Sequence, residues 1–381
     1  MSKFVTLCIV LLFVFLSQLD VVAAENRQID VKSEAAVLLD SDTGAVLYAK
    51  NGEKRMYPAS LTKIATAIYA IENGNLDDIV TVSANAVRAE GTKVYLNEGE
   101  KVPLRKLIQG MLINSGNDAA VATAEYLDGS VDQFAAHLNT YLTTKIGVKN
   151  THFTNPNGLF NEKHYTTALD LAIITNYAIK NPVFSEIFGT KELKWNGQSW
   201  NTTLITHHLM LKGEIPYPGI TGGKTGYVNE SKQTLATTAF NGKLHLTVIE
   251  FKANQKIDIY NDTIHLLDYG FTNFQHKLLQ RNEIFKEGRN EYFPLHDALI
   301  TEPNKGALQK LNQQGLLLLE NSNGEVMQRL QLNPKTVKPV LKNKPKTIEN
   351  QAYHLNAIYG IVFIVAIGIV MSLRNKITRK T

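Results

Sequence analysis

From Ser60 to Asn73 the chain reads SLTKIATAIYAIEN, a helical pattern so strongly apolar that the segment belongs at the buried centre of a domain, with Gly74 placed to end it. Any fold built round this helix must take in the two polar groups at its start. Ser60 and Lys63 stand three residues apart, on one helical face and within reach of each other.

A serine hydroxyl becomes a nucleophile only when a base removes its proton. Lys63 can be that base if it is neutral near pH 7, which requires its pKa to fall by several units (~3). Burial and a second nearby cation both push it down, and the helix N-terminus adds a smaller push while offering backbone N–H groups to an oxyanion. Two motifs downstream supply the remaining parts. Ser115-Gly116-Asn117 offers a hydroxyl to pass protons toward a leaving amine, and an amide to hold the lysine and a substrate carbonyl. Lys224-Thr225-Gly226 offers the second cation and a hydroxyl suited to a substrate carboxylate, with Gly226 letting a substrate backbone lie close. Each element alone has an ordinary explanation as a helix cap, a surface lysine, a turn or a strand end. SxxK and KTG each occur once, whereas SxN recurs at Ser83 and Ser199 and is the least specific. Their occurrence together, in order and on suitable elements, points to a serine acyl-enzyme that needs no histidine.

The rest of the chain reads as an α/β (α+β) protein. Ala35–Asp40 and Ala45–Lys50 form a predicted hairpin across Ser41-Asp42-Thr43-Gly44. The stretch from Val102 to Ile179 is mainly helical, broken by the loop Asn155-Pro156-Asn157-Gly158. Strand character returns at Gly223–Val228, Leu235–Phe240 and Leu244–Phe251, before a helix through Ile259–Tyr269. Two early strands and three late ones suggest one antiparallel sheet flanked by helices, with the helical middle as a subdomain on one side. Residues 25–275 make this domain, and 277–332 make a small β-rich one. Residues 333–354, with three prolines and five lysines, suit an extended stalk.

The two ends address the chain. Residues 1–24 have the pattern of a signal peptide, with Lys3, the apolar run Phe4–Leu16 and Val22-Ala23-Ala24 before Glu25. Leu355–Leu373 is uncharged and long enough to span a bilayer, and the basic tail 374–381 should stay in the cytoplasm with the body outside. The single cysteine, Cys8, falls in the signal segment, so the exported body has no disulfide, cysteine nucleophile or thiolate metal site. Without both ends the charge is nearly balanced, 35 basic against 34 acidic residues, which gives no sign of nucleic-acid binding. The ten histidines show no metal-ligand spacing, and no metal or cofactor is expected. His207-His208, just before the KTG region, could line the cleft but reads as a surface loop, and Tyr165 and Asp170 read as fixing the helical middle.

With these motifs in view, the chain resembles the low-molecular-mass penicillin-binding proteins that are serine-type D-alanyl-D-alanine carboxypeptidases. The likeness extends to LLDSDTGAVLYAKN, YPASLTKIATA, INSGNDAA, THFTNPNGL, HYTTALDLA, PGITGGKTGY and LLDYGF, and covers residues 30–275. The resemblance implies a penicillin-binding/β-lactamase-like domain and assigns Ser60 as acylated nucleophile, Lys63 as its base and Ser115 as proton relay. It implies substrate contacts from Asn117, Lys224, Thr225 and Gly226, and an oxyanion hole from the backbone N–H groups of Ser60 and Tyr227. The implied substrate is a peptidoglycan pentapeptide stem ending in D-Ala-D-Ala, and β-lactams should acylate the same serine. Val228 stands where many members have Thr, which bears on specificity at the rim. A D,D-transpeptidase or endopeptidase, a β-lactamase and a non-catalytic wall-peptide binder are the alternatives. The β-lactamase lacks support in THFTNPNGLFNEKH, which has no ExxLN glutamate.

Overall fold

Five strands pair into one antiparallel sheet in the computed structural model, whose described residues are 29–335. They are β1 (Ala35–Asp40), β2 (Val46–Lys50), β3 (Ile220–Val228), β4 (Lys232–Phe240) and β5 (His245–Ala253), in the spatial order β2-β1-β5-β4-β3. The two early and three late strands thus join as the sequence suggests. All six residues of β1 are buried, because both sheet faces are covered. On one face Ala35, Val37, Leu39, Ile249 and Phe251 meet the helical layer, and on the other Ala36, Leu38, Leu246 and Val248 meet a C-terminal helix. That two-residue alternation is the pleat of the strands.

The helical layer is built on α1 (Thr62–Asn73), with α2 (Leu104–Ile113), α3 (Asn117–Asp128), α4 (Val131–Tyr141) and α5 (Ala168–Ala178) round it. Every residue of α1 from Thr62 to Tyr69 is buried, Lys63 included. Its Ile64 and Ile68 are each fully buried, worth about 1.5–3 kcal/mol apiece in removed apolar surface. Gly74 leaves the helix in an extended conformation and has no room for a side chain, since a Cβ there would lie 2.5 Å from Leu104 Cδ2. The other sheet face is closed by α6 (Lys256–Asn273), longer at both ends than its apolar pattern suggests.

A hairpin of Glu192–Asn196 and Asn201–Ile205 packs beside the helical layer, anchored by the buried Trp195. Its exposed polar positions hide it from a reading of apolar runs. After α6 the chain forms short strands with a separate small core of Leu279, Tyr292, Ile300, Leu317, Leu319 and Leu332. This β-rich segment is tied back to the main sheet where Thr301 Oγ1 donates to Asp40 Oδ2 at 3.0 Å and His276 Nε2 lies 2.8 Å from the same oxygen. The expected signal peptide, most of the stalk, and the membrane helix Leu355–Leu373 with its tail lie outside the described residues.

Candidate active site

Ser60 sits in a single tight turn, Ala59–Leu61, that runs directly into α1. Ala59 has a left-handed backbone, φ 47, which is strained for a residue with a side chain. Its carbonyl is pinned by Thr62 Oγ1 at 2.9 Å, and that hydroxyl lies 2.8 Å from His164 Nε2. His164 Nδ1 accepts from Thr154 N–H, so its proton is on Nε2 and faces Thr62. Burial holds this imidazole down to about 3, neutral throughout the physiological range. From the other side, the loop of Asn155–Gly158 presses on the turn. A Cβ on Gly158, whose φ is 83, would come within 1.8 Å of Ala59 O.

One turn on, Lys63 Nζ is fully buried and contacts Ser60 Oγ at 2.9 Å, Asn117 Oδ1 at 2.7 Å and Asn157 O at 2.7 Å. Asn117 Nδ2 donates to Glu90 O, which fixes its oxygen toward the lysine. Two of the three partners of Lys63 are therefore acceptors only. A neutral amine spends its two N–H bonds on them and is left with its lone pair toward Ser60 Oγ–H, the geometry of a general base. Burial pushes the Lys63 pKa well below that of an ordinary lysine; Lys224 adds to this, and Asp118 opposes it. Asn157 O had no signal in its own side chain, because any residue offers a carbonyl. The break in helical pattern at Asn155-Pro156-Asn157-Gly158 was the only pointer to it.

Ser115 joins α2 to α3 with a left-handed backbone, φ 62, and its hydroxyl accepts from Lys224 Nζ at 3.0 Å. Lys224 is buried on the edge strand β3, also donates to Thr225 O at 3.0 Å, and is pushed down to about 7 by burial. The structure thus joins Ser115 to Lys224 directly, whereas Asn117 is the residue that joins this loop to Lys63. Gly226 lies against the nucleophile: a Cβ there would be 2.9 Å from Ser60 N and 2.4 Å from Thr234 Oγ1. Tyr227, half exposed, follows at the cleft edge.

The cleft over these residues has a volume of about 270 Å³ and is lined by Ser60, Thr92, Ser115, His207, Thr225, Gly226, Tyr227 and Gln233, with Lys256, Ile259 and Tyr260 from α6 among the remainder. A larger depression, about 740 Å³, lies in the β-rich segment between Phe285 and Leu317 and holds no nucleophile–base pair. Of the pair His207-His208 only the first is exposed, so the surface-loop reading holds for His207 and not for His208. His207 lines the cleft, and His208 is fully buried, caps the short helix Leu209–Lys212 through Nδ1, and contacts Thr237 Oγ1 through Nε2 at 2.9 Å. The KTG strand covers it, which apolar patterning does not report. Asp170 accepts from Asn150 N–H and Thr151 Oγ1, a fixing role as expected. Among the described residues one carboxylate–imidazole group, Asp40, Asp42 and His276, brings its ligand atoms within 4.8 Å of one another; none of the three lines the cleft.

A cleft serine with a buried lysine behind it, beneath an edge strand and with a second lysine beside it, is the equipment of a serine acyl-transfer enzyme whose base is an amine. The comparisons narrow the class. Residues 21–255 match the peptidase S11 family, D-alanyl-D-alanine carboxypeptidase. The chain is 34% identical over 279 residues to D-alanyl-D-alanine carboxypeptidase DacF of Bacillus subtilis, covering 69% of this chain and 70% of that one. It is 32% identical over 309 residues to D-alanyl-D-alanine carboxypeptidase DacA of Haemophilus influenzae, covering 74% and 73%. Among solved structures it is similar to penicillin binding protein 5 of Haemophilus influenzae, with a TM-score of 0.68 and 25% identity over 81% of this chain and 98% of that one. The chain belongs to the serine-type D-alanyl-D-alanine carboxypeptidase family, with the α/β fold and C-terminal β-rich domain of penicillin binding protein 5.

Proposed function

We propose that Ser60 is the nucleophile by which this carboxypeptidase removes the terminal D-Ala from peptidoglycan pentapeptide stems. The observation that carries the assignment is the environment of Lys63 Nζ, whose two acceptor-only partners leave its lone pair for Ser60 Oγ–H. Lys63 takes the proton as Oγ attacks the carbonyl of the penultimate D-Ala. The oxyanion forms beside the backbone N–H groups of Ser60 and Tyr227, and Gly226 leaves room for it. Ser115, hydrogen-bonded to Lys224, gives its hydroxyl proton to the leaving amine and is reprotonated by the proton that Lys63 took, while Lys224 and Thr225 hold the terminal carboxylate. Water then resolves the acyl-enzyme to a tetrapeptide that can no longer donate a cross-link. β-Lactams enter by the same attack and stay as the Ser60 ester.

On this reading residues 1–24 direct export and are removed, 25–275 form the catalytic domain, and 277–332 the β-rich domain. The stalk 333–354 and the helix 355–373 then hold the domain outside the cell membrane, with 374–381 in the cytoplasm. The test is the full chain in detergent and its Ser60→Ala variant, given a pentapeptide ending in D-Ala-D-Ala and an amine acceptor. Ser60-dependent D-Ala and tetrapeptide are expected. Cross-linked dimer as the main product would make the enzyme a transpeptidase, and equal release by the variant would remove Ser60 from the chemistry.

A further inference from the structure

Tyr95 is the only aromatic residue with a left-handed backbone among the described ones, φ 58. A bulky side chain held there costs about 1–3 kcal/mol, so something must over-determine it. The Asp118 carboxylate does so, accepting Val94 N–H at 3.0 Å and Leu96 N–H at 3.1 Å, the amides on either side. Val94 and Leu96 point into the core, and Tyr95 between them is 58% exposed. Its ring stands edge to face with Trp200, centroids 4.9 Å apart. Trp200 is mounted at the turn of the Glu192–Ile205 hairpin, which the buried Trp195 and a hydrogen bond from Gln198 N to Glu100 Oε1 tie to the body. The strain therefore holds the exposed Tyr95 ring against a half-buried Trp200 that is itself packed on the core.

The same loop is fastened to the catalytic one. Asn117 donates its backbone N–H to Thr92 O at 2.7 Å and its amide to Glu90 O, and Thr92 lines the cleft. We propose that Tyr95 and Trp200 form a glycan subsite, on which a pyranose ring of the peptidoglycan strand stacks while the attached stem runs into the Ser60 cleft. The proposal rests on the carboxypeptidase reading. Pyranose rings present C–H groups to the negative face of an aromatic ring, a contact that needs no charge and that the exposed Tyr95, backed by the half-buried Trp200, can offer. Reach agrees with this. Four residues separate the scissile carbonyl from the sugar, up to about 14 Å extended, and Tyr95 lies three residues beyond Thr92, up to about 10 Å.

The experiment compares D-Ala release from a free pentapeptide and from the disaccharide-pentapeptide bearing the same stem, using the full chain in detergent. The variants are Tyr95→Asn, which removes the ring but tolerates the left-handed backbone, Trp200→Ala, and the pair together. In the double variant KM for the disaccharide-pentapeptide should rise about tenfold, with kcat unchanged and kcat/KM on the free pentapeptide within about twofold of wild type. Equal losses on both substrates, or no change on either, would overturn the glycan subsite. Failure of the unaltered enzyme to release D-Ala from the free pentapeptide would instead overturn the carboxypeptidase reading beneath it.

Discussion

Replacing Gly226 by Ala tests whether the edge strand and the nucleophile are set against each other at van der Waals distance. The added Cβ would lie 2.4 Å from Thr234 Oγ1, 2.9 Å from Ser60 N and 3.1 Å from Ala59 Cβ. The Thr234 hydroxyl can rotate away, at the loss of its 3.1 Å hydrogen bond to Pro58 O. Ser60 N is backbone in a turn already pinned by Thr62 and Gly158, and cannot. Restoring ordinary contact, about 3.4 Å, moves strand and serine apart by roughly half an ångström. Overpacking of this size costs about 1–3 kcal/mol, a fall in Tm of a few degrees (~2–8) for a domain of this size. The chemical cost is larger, because both oxyanion donors lie on the two pieces being separated. Misplacement on the order of 1 Å and loss of one oxyanion donor are each worth about a hundredfold, ~2.7 kcal/mol of barrier. The expected result is a kcat/KM for D-Ala release and a rate constant for β-lactam acylation both down about a hundredfold, with Tm down only slightly. Wild-type acylation by the variant would refute the reasoning, since the strand would then have room that the geometry denies it.

The pH profile of kcat/KM should be a bell. Lys63 is needed neutral and its pKa is depressed, so activity is lost as pH falls through that lowered value. Lys224 is needed cationic at about 7, so activity is lost again as pH rises above it. A rate still rising at pH 10 would show an ordinary lysine base and contradict the burial argument. Thr62→Val removes the hydroxyl that pins Ala59 O and leaves the buried His164 Nε2–H unpaired, an expected loss of about 1–3 kcal/mol in denaturant unfolding with slower acylation. Unchanged stability would mean that the strained turn does not depend on this relay.

Much of the site was legible because its spacing is local. Ser60 and Lys63 meet through the helical period, and their 2.9 Å contact needs nothing beyond α1 and the turn before it. The sheet was legible too, since strands closed by helices on both faces carry continuous apolar runs. The Glu192–Ile205 hairpin is not legible because exposed polar residues on a two-stranded ribbon have no such run, and the burial of His208 is not legible because cover by a neighbouring strand leaves no mark on a polar residue.

What the sequence determined by itself was the inventory of reactive groups, the helix that takes Ser60 and Lys63 inside, and the strand that bears Lys224. That the Asn117 amide holds Lys63 is expected from the sequence; tertiary structure alone decided that its oxygen is the atom turned there, by Glu90 O, and that the second acceptor is the backbone carbonyl of Asn157, 94 residues away. It also decided that Ser115 meets Lys224 and that Gly226 lies against Ser60 N. Periodicity specifies which side of an element is buried. The protonation of a buried lysine depends on which atoms of distant segments are brought to it, and those are carbonyls and amides that every sequence contains.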